Sequence, residues 1–327
     1  SLLISCSLSH PPPQYFRKRQ RPPLPPLSRN GRSNPLESLR VGHCAAVDVT
    51  ATTTPSLPPI VVTMAEVTAN DHDGSVGASV EQRREEAKRS IQRAKEEDGP
   101  IALDLQQMGL TDHDLEGLRE DILAGQYTRV ISLNLFLNRL TRLPHWLGSL
   151  TNLEELHCAC NPLAEIDSRL FENLTSLHTL DLGYSESLCQ LPESIGALTS
   201  LRILRLGNNR LEQVPSSINH CQRLEELYLY GNDLKIVPRE LGNLLKLRIL
   251  NLSRNQLTEI PTSFGELSGL TELYLMDNDL RCLPGELARL SSLRCLNISL
   301  NPRLPVPPRT IERNGPRAVA EFVAHAH

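Results

Sequence analysis

No run of 18 apolar residues occurs anywhere in the 327-residue chain, so no membrane-spanning helix is expected. The motifs of common chemistries are missing too. There is no GxxxxGK[ST] phosphate loop, no HExxH zinc helix and no GxSxG nucleophile elbow. Aromatic residues are scarce, at 4% of the chain. The eight cysteines form no cluster. Cys158 and Cys221 fall in step with leucines, Cys295 in step with Ile203 and Ile249, and Cys6 and Cys44 lie far upstream. That distribution reads as free thiols in a reducing compartment, not as a disulfide framework. His157-Cys158-Ala159-Cys160 resembles a metal-binding run, but strand alternation turns Cys158 away from the other two. Two remaining ligands are too few for a closed zinc site. These absences point to a non-enzymatic protein with no catalytic residue, no metal and no cofactor.

Charge is unevenly placed. Residues 1–63 hold seven Lys/Arg against two Asp/Glu, and eleven of the 24 prolines. The remaining 264 residues hold 27 basic against 36 acidic side chains. A net acidic body argues against nucleic acid as the ligand.

What the chain has in abundance is a repeat. Leu201 to Arg223 reads LRILRLGNNRLEQVPSSINHCQR, and shifts of 23 residues give closely related stretches from Leu224, Leu247 and Leu270. Leucines recur at i, i+3, i+5 and i+10, with Asn at i+8. A period in this range with this spacing is the signature of a leucine-rich repeat solenoid. Leu204-Arg205-Leu206 alternates as a short strand with one buried face. The Asn in step with the leucines must sit inside, where its amide needs partners. Asn138, Asn161, Asn209, Asn232, Asn255, Asn278 and Asn301 are therefore expected to form a ladder onto backbone groups of neighbouring coils. The fold class is α/β: a curved parallel β-sheet on the concave face, with short helical and irregular segments on the convex face.

In chain order, residues 1–79 read as a disordered Pro-rich and polar segment, with 1–63 a leader or gene-model artefact ahead of Met64. An organelle-targeting role for 1–63 stays open, as does a docking arm, because Arg19 to Pro25 fits a basic-xxPxxP ligand. Residues 80–100 read as a charged helix with a thin apolar stripe of Val80, Ala87, Ile91 and Ala94, solvated and leading into the first coil. About nine repeats fill 101–308. In the first, Thr111 and Asp114 can cap a helix whose buried side is Leu115, Leu118 and Ile122. The fourth coil carries an extra residue and has Ser185 in place of Asn, so a bulge is expected at Tyr184. Residues 309–327 should form a capping helix over the last leucines, with Ile311, Val319, Phe322 and Val323 inward.

The unit LxxLxLxxNxLxxLPxxIGxLxx, seen at Leu177, Leu201 and Leu224, resembles the cytosolic Ras-group leucine-rich repeat family. That family includes the Ras suppressor protein and the plant intracellular Ras-group proteins. The ending from Asn301 to Phe322 has the form common at the ends of such arrays. The resemblance implies a monomeric cytoplasmic scaffold or adaptor in signal transduction, with a small GTPase or phosphatase as protein partner. A regulatory subunit controlling an enzyme such as a protein phosphatase is the alternative.

Function should sit between the inward leucines, where strand side chains project from the sheet. Tyr184, Tyr228, Tyr230 and Tyr274, four of the six tyrosines, map there, together with Met276. Tyrosine and methionine on a rigid sheet are interface-forming residues. Units also alternate, so Glu226 with Tyr228 recurs 46 residues later as Glu272 with Tyr274. These residues, with Arg205, are the expected partner-binding set. The competing reading is that the aromatics only pack on one another across the sheet.

Overall fold

The computed structural model describes residues 80–96, 99–123, 127–305, 315, 318–320 and 322. Its strands are β1 (Ile101–Asp104), β2 (Val130–Asn134), β3 (Arg142–Leu143), β4 (Glu155–His157), β5 (Glu165–Ile166), β6 (Thr179–Asp181), β7 (Ile203–Arg205), β8 (Glu226–Tyr228), β9 (Ile249–Asn251), β10 (Glu272–Tyr274) and β11 (Cys295–Asn297). Nine of them form one sheet in the order β1-β2-β4-β6-β7-β8-β9-β10-β11, and β3 pairs separately with β5. Every neighbour is parallel. The register is set by leucine: Leu133, Leu156, Leu180, Leu204, Leu227, Leu250, Leu273 and Leu296 stand in one row across the sheet. All of them are buried. A slip by one residue would turn that row to solvent, so burial fixes the pairing.

The asparagine ladder closes the inner turn of each coil. Asn232 is typical. Its Nδ2 donates to Leu206 O and Leu229 O, both at 2.9 Å, and its Oδ1 accepts from Leu211 N at 3.0 Å. One side chain thus satisfies backbone groups on two coils. Asn138, Asn161, Asn209, Asn255, Asn278 and Asn301 repeat the arrangement. The residue just before each rung is left-handed, with φ from 55° at Leu137 to 69° at Gly231. Only Gly231 meets this demand with a glycine.

The fourth coil corrects one expectation. Tyr184, at φ 58°, occupies the same left-handed position as its counterparts and is no bulge. The extra residue is absorbed at Glu186, a second left-handed residue at φ 54°. Ser185 performs half of the rung: its N–H donates to Asn209 Oδ1 at 3.0 Å and its hydroxyl to Leu182 O at 3.2 Å.

Opposite the sheet, most coils cross in a five-residue 3-10 turn, such as Glu193–Ala197 and Arg239–Asn243. Each follows a proline in extended conformation, here Pro192 and Pro238. Glycine inside the turn sets the coil spacing. A Cβ on Gly242 would stand 2.4 Å from Ser263 O, and one on Gly196 2.6 Å from Ser217 O. The first coil instead carries true helix, α2 (Asp112–Gly117) and α3 (Arg119–Leu123), when α1 denotes Val80–Glu96. The capping box of Thr111 and Asp114 is present, and Leu115, Leu118 and Ile122 are buried.

Helix α1 also departs from expectation. It is not simply solvated. Ala87 and Ile91 are buried in the leucine core, and Ser90 Oγ donates to Asp104 O at 3.0 Å. Polar stems complete the contact, because Arg84 lies against Gly117 and Lys95 Nζ donates to Asp121 O. The helix therefore covers the first coil. At the other end Val319 and Ala320 are buried and Phe322 packs on the same core. Ile311, Val323 and the readings made for residues 1–79 lie outside the described residues. Among those described, no helix is long and apolar enough to cross a membrane.

The ladder yields a test. Asn232→Ala strands the Leu211 N–H in a dry interior, at about 1–3 kcal/mol, and takes one of two donors from Leu206 O and Leu229 O, which keep Asn209 and Asn255. A total loss of about 2–4 kcal/mol is expected by urea denaturation of the full chain followed by circular dichroism. A loss below ~0.5 kcal/mol would mean that the rungs are not what holds the coils together.

Candidate binding face

Each strand places two or three side chains outward between its buried leucines. The central outward column runs Asn134, His157, Asp181, Arg205, Tyr228, Asn251, Tyr274 and Asn297, one residue per strand. Short members of this column fold back on their own coil. Asn134 Oδ1 accepts from Phe136 N, Asn251 Oδ1 from Ser253 N and Asn297 Oδ1 from Ser299 N, each at 3.1 Å.

Asp181 makes the same bond to Gly183 N at 3.1 Å but carries a charge. Burial pushes its carboxyl above the usual carboxylate range, against the Gly183 bond and the nearby Arg205 and His157. The same burial, with Asp181 beside it, pushes the Cys160 thiol up to about 11. Cys158 is fully buried, and its thiol is also raised, by burial first and Asp181 second. Neither sulfur is an activated nucleophile. Among the described residues no group of three His, Cys, Asp or Glu is placed to hold a metal ion. Cys158, Cys160, Cys189, Cys221 and Cys282 are free thiols, whereas Cys295 is disulfide-bonded and departs from the all-thiol reading.

The expected binding residues fall into three groups. Tyr228 is half-buried and donates to Glu226 Oε2 at 2.9 Å. The Arg205 guanidinium sits 5.8 Å from its ring centroid, in cation–π contact. Burial and then Glu226 raise the phenol well above its ordinary range, so it stays a donor. Forty-six residues on, Tyr274 donates to Glu272 Oε2 at 2.7 Å. Tyr274 is only 9% exposed, so it acts as a strut for Glu272 and offers little contact surface.

Tyr230 lies flat. A Cβ on Gly207 would stand 2.4 to 2.8 Å from three atoms of its ring, which therefore covers that glycine. Its hydroxyl reaches across to Tyr184, donating to that oxygen at 3.3 Å. Cross-strand packing thus holds for Tyr230, and Tyr184, 41% exposed, is the open member of the pair. Met276 is half-buried on the coil of Tyr274. The alternation of apolar and polar positions could not have foretold the Arg205 stack. The consecutive glycines Gly183 and Gly207 beside Tyr230 were a visible signal for the flat ring.

Three segments, 151–211, 199–257 and 245–302, match the family model described as leucine rich repeat. The chain is 36% identical over 93 residues to the volume-regulated anion channel subunit LRRC8A of Homo sapiens, covering 28% of this chain and 11% of that one. It therefore spans about a tenth of the length of that relative. Among solved structures, a leucine-rich repeat protein of Leptospira interrogans superposes with a TM-score of 0.56 at 28% identity, over 66% of this chain and 57% of the other. The leucine-rich repeat ectodomain of the plant receptor kinase GASSHO1/SCHENGEN3 from Arabidopsis thaliana, solved in complex with CASPARIAN STRIP INTEGRITY FACTOR 2, gives 0.52 at 32% identity, over 61% and 24%. These relatives share the repeat and do not single out the Ras group.

Asp181 gives a pH test. Its folded pKa is raised, so the folded state loses stability as pH climbs from the unfolded carboxylate range, at ~4, through the folded value. Asp181→Asn keeps an Oδ1 for Gly183 N, as Asn134 and Asn251 do, and removes the buried charge. The variant should melt above the parent at pH 7, and the two curves should converge below pH ~4. A variant that melts lower at pH 7 would show that Arg205 and His157 outweigh burial.

Proposed function

We propose that this chain, whose repeats belong to the leucine-rich repeat family, is a non-catalytic module that binds a protein partner on its sheet face and acts as a scaffold or adaptor in signal transduction. Leucine-rich repeat proteins generally mediate protein–protein interaction, and solenoids present extended, rigid surfaces for it. The observation that carries the reading is the outward face from β6 to β10. There Tyr184, Arg205 and Tyr228 project from a backbone whose core is already filled by leucine. Tyrosine and arginine on a rigid support are the residues most often found to dominate binding energy. The resemblance to Ras-group repeats supports the signalling role, with a small GTPase or a phosphatase as the partner and the cytoplasm as the location.

Affinity capture from native extract with the full chain tests this. A Tyr184→Ala/Tyr228→Ala variant removes the face, and Ile236→Ser, at a 65% exposed position away from the sheet strands, is the control. Each tyrosine, if a hot spot, is worth about 1–3 kcal/mol, or roughly 5- to 150-fold in affinity. Partners kept by the parent and by Ile236→Ser but lost by the tyrosine variant support the sheet face. Partners lost only by Ile236→Ser would move the site off the sheet. A phosphatase activity that co-purifies with the bait would favour the regulatory-subunit alternative over a plain adaptor.

A further inference from the structure

The two tyrosine–glutamate pairs are equivalent in sequence but not in charge. Glu226 and Glu272 both stand in register with Ile249, one on each side of it. The strand between them thus offers an apolar side chain and Asn251, and no charge. Two strand spacings separate the carboxylates, or ~10 Å. Each carboxylate gives one oxygen, Oε2, to its tyrosine hydroxyl. Neither takes part in an ion pair among the described residues. Both are half-buried, so neither is fully bathed in water.

The first pair shows what such a site accepts. Arg205, one strand before Tyr228, lays its guanidinium over that ring, close enough to oppose the larger effect of Glu226 on the phenol. At the second pair the residue one strand before Tyr274 is Asn251, whose Oδ1 is turned back to Ser253 N. The cation supplied from within at Tyr228 has no counterpart at Glu272. Glu272 is near enough to act on Tyr228 as well, so both acids and Ile249 form one electrostatic patch. The body that carries it, residues 64–327, has 36 acidic against 27 basic side chains.

We propose that the Glu226–Ile249–Glu272 patch is the docking point for an extended protein segment bearing two basic side chains about three residues apart. The proposal rests on the sheet-face reading above and names the partner's chemistry. A segment in the extended polyproline II conformation turns once every three residues and rises ~3.1 Å per residue, so residues i and i+3 lie on one side ~9 Å apart and match the two carboxylates. The aliphatic stems of Arg or Lys would lie on Ile249 while their heads meet the free Oε1 atoms. Half-buried carboxylates already held by phenols lose little freedom on binding. A segment carrying acidic side chains at those places would be repelled.

The probe is a fluorescein-labelled decapeptide with Arg at positions 4 and 7 in a Gly/Ser background, titrated into the full chain to millimolar concentration by fluorescence anisotropy. Matched peptides carry Gln or Glu at both places. Binding of the Arg peptide at least tenfold tighter than the Gln peptide is expected. It should weaken tenfold or more in Glu226→Gln/Glu272→Gln, and fall steeply between 50 and 500 mM salt, as screening of charges within ~10 Å requires. Glu212→Gln/Glu259→Gln, which removes the same charge from exposed positions off the sheet strands, should leave it within about threefold. Equal binding of the three peptides, no binding at all, or indifference to the double variant overturns the proposal. The sheet-face reading fails separately: it falls if captured partners survive Tyr184→Ala/Tyr228→Ala. It stands if they are lost there yet unmoved by Glu226→Gln/Glu272→Gln.

Discussion

Everything in this molecule depends on satisfying backbone groups inside a stack of coils. A leucine core alone would not dictate a 23-residue coil, because apolar burial has no direction. Direction comes from the amides of the asparagine rungs. Each holds carbonyls of its own coil and the one before, and receives an N–H in return. An unmet buried carbonyl costs far more than a met one contributes. The chain therefore accepts a left-handed residue before every rung, even where that residue is Leu137, Arg254 or Leu300. The strain is local and modest, and the alternative is a row of orphaned groups.

The same constraint explains what was legible in the sequence. Positions whose role is to close a coil recur every 23 or 24 residues, so the leucine row, the rungs and the capped first helix could be placed from pattern alone. What depended on a single neighbour could not. The tilt of Tyr230 depends on Gly207 having no Cβ in the preceding coil. The near-complete burial of Tyr274 and the stacking of Arg205 on Tyr228 depend on the particular neighbour in the adjacent coil, which the repeat does not dictate. The reading of α1 as solvated failed for a related reason. Its apolar stripe is thin, with Ala87 and Ile91 buried and Ala94 packed beside them, and much of the remaining contact is made by Arg, Ser and Lys, residue types that pattern assigns to water.

The tyrosines illustrate how one column serves two purposes. Tyr230 and Tyr274 are largely spent on the sheet itself: one roofs a glycine, the other props a glutamate. Tyr184 and Tyr228 keep surface to offer. The packing and the binding readings are therefore both correct, for different residues. Tyr184 is held by the hydroxyl of Tyr230, and Tyr228 by Glu226 and Arg205.

Rigidity has a further consequence for recognition. Because the rungs and the parallel ladder fix coil spacing, outward groups can be separated only by whole multiples of one strand interval. A partner is thus read as a ruler reads, by which intervals carry charge and which do not. On this face Asp181 is tempered by Arg205 and His157, Glu226 has Arg205 close by, Ile249 is blank and Glu272 stands alone. The sequence of filled, blank and unfilled intervals is specific in a way that net acidity is not. A flexible acidic loop of equal charge would attract the same cations and tell them apart poorly, since it could adjust its spacing to any of them.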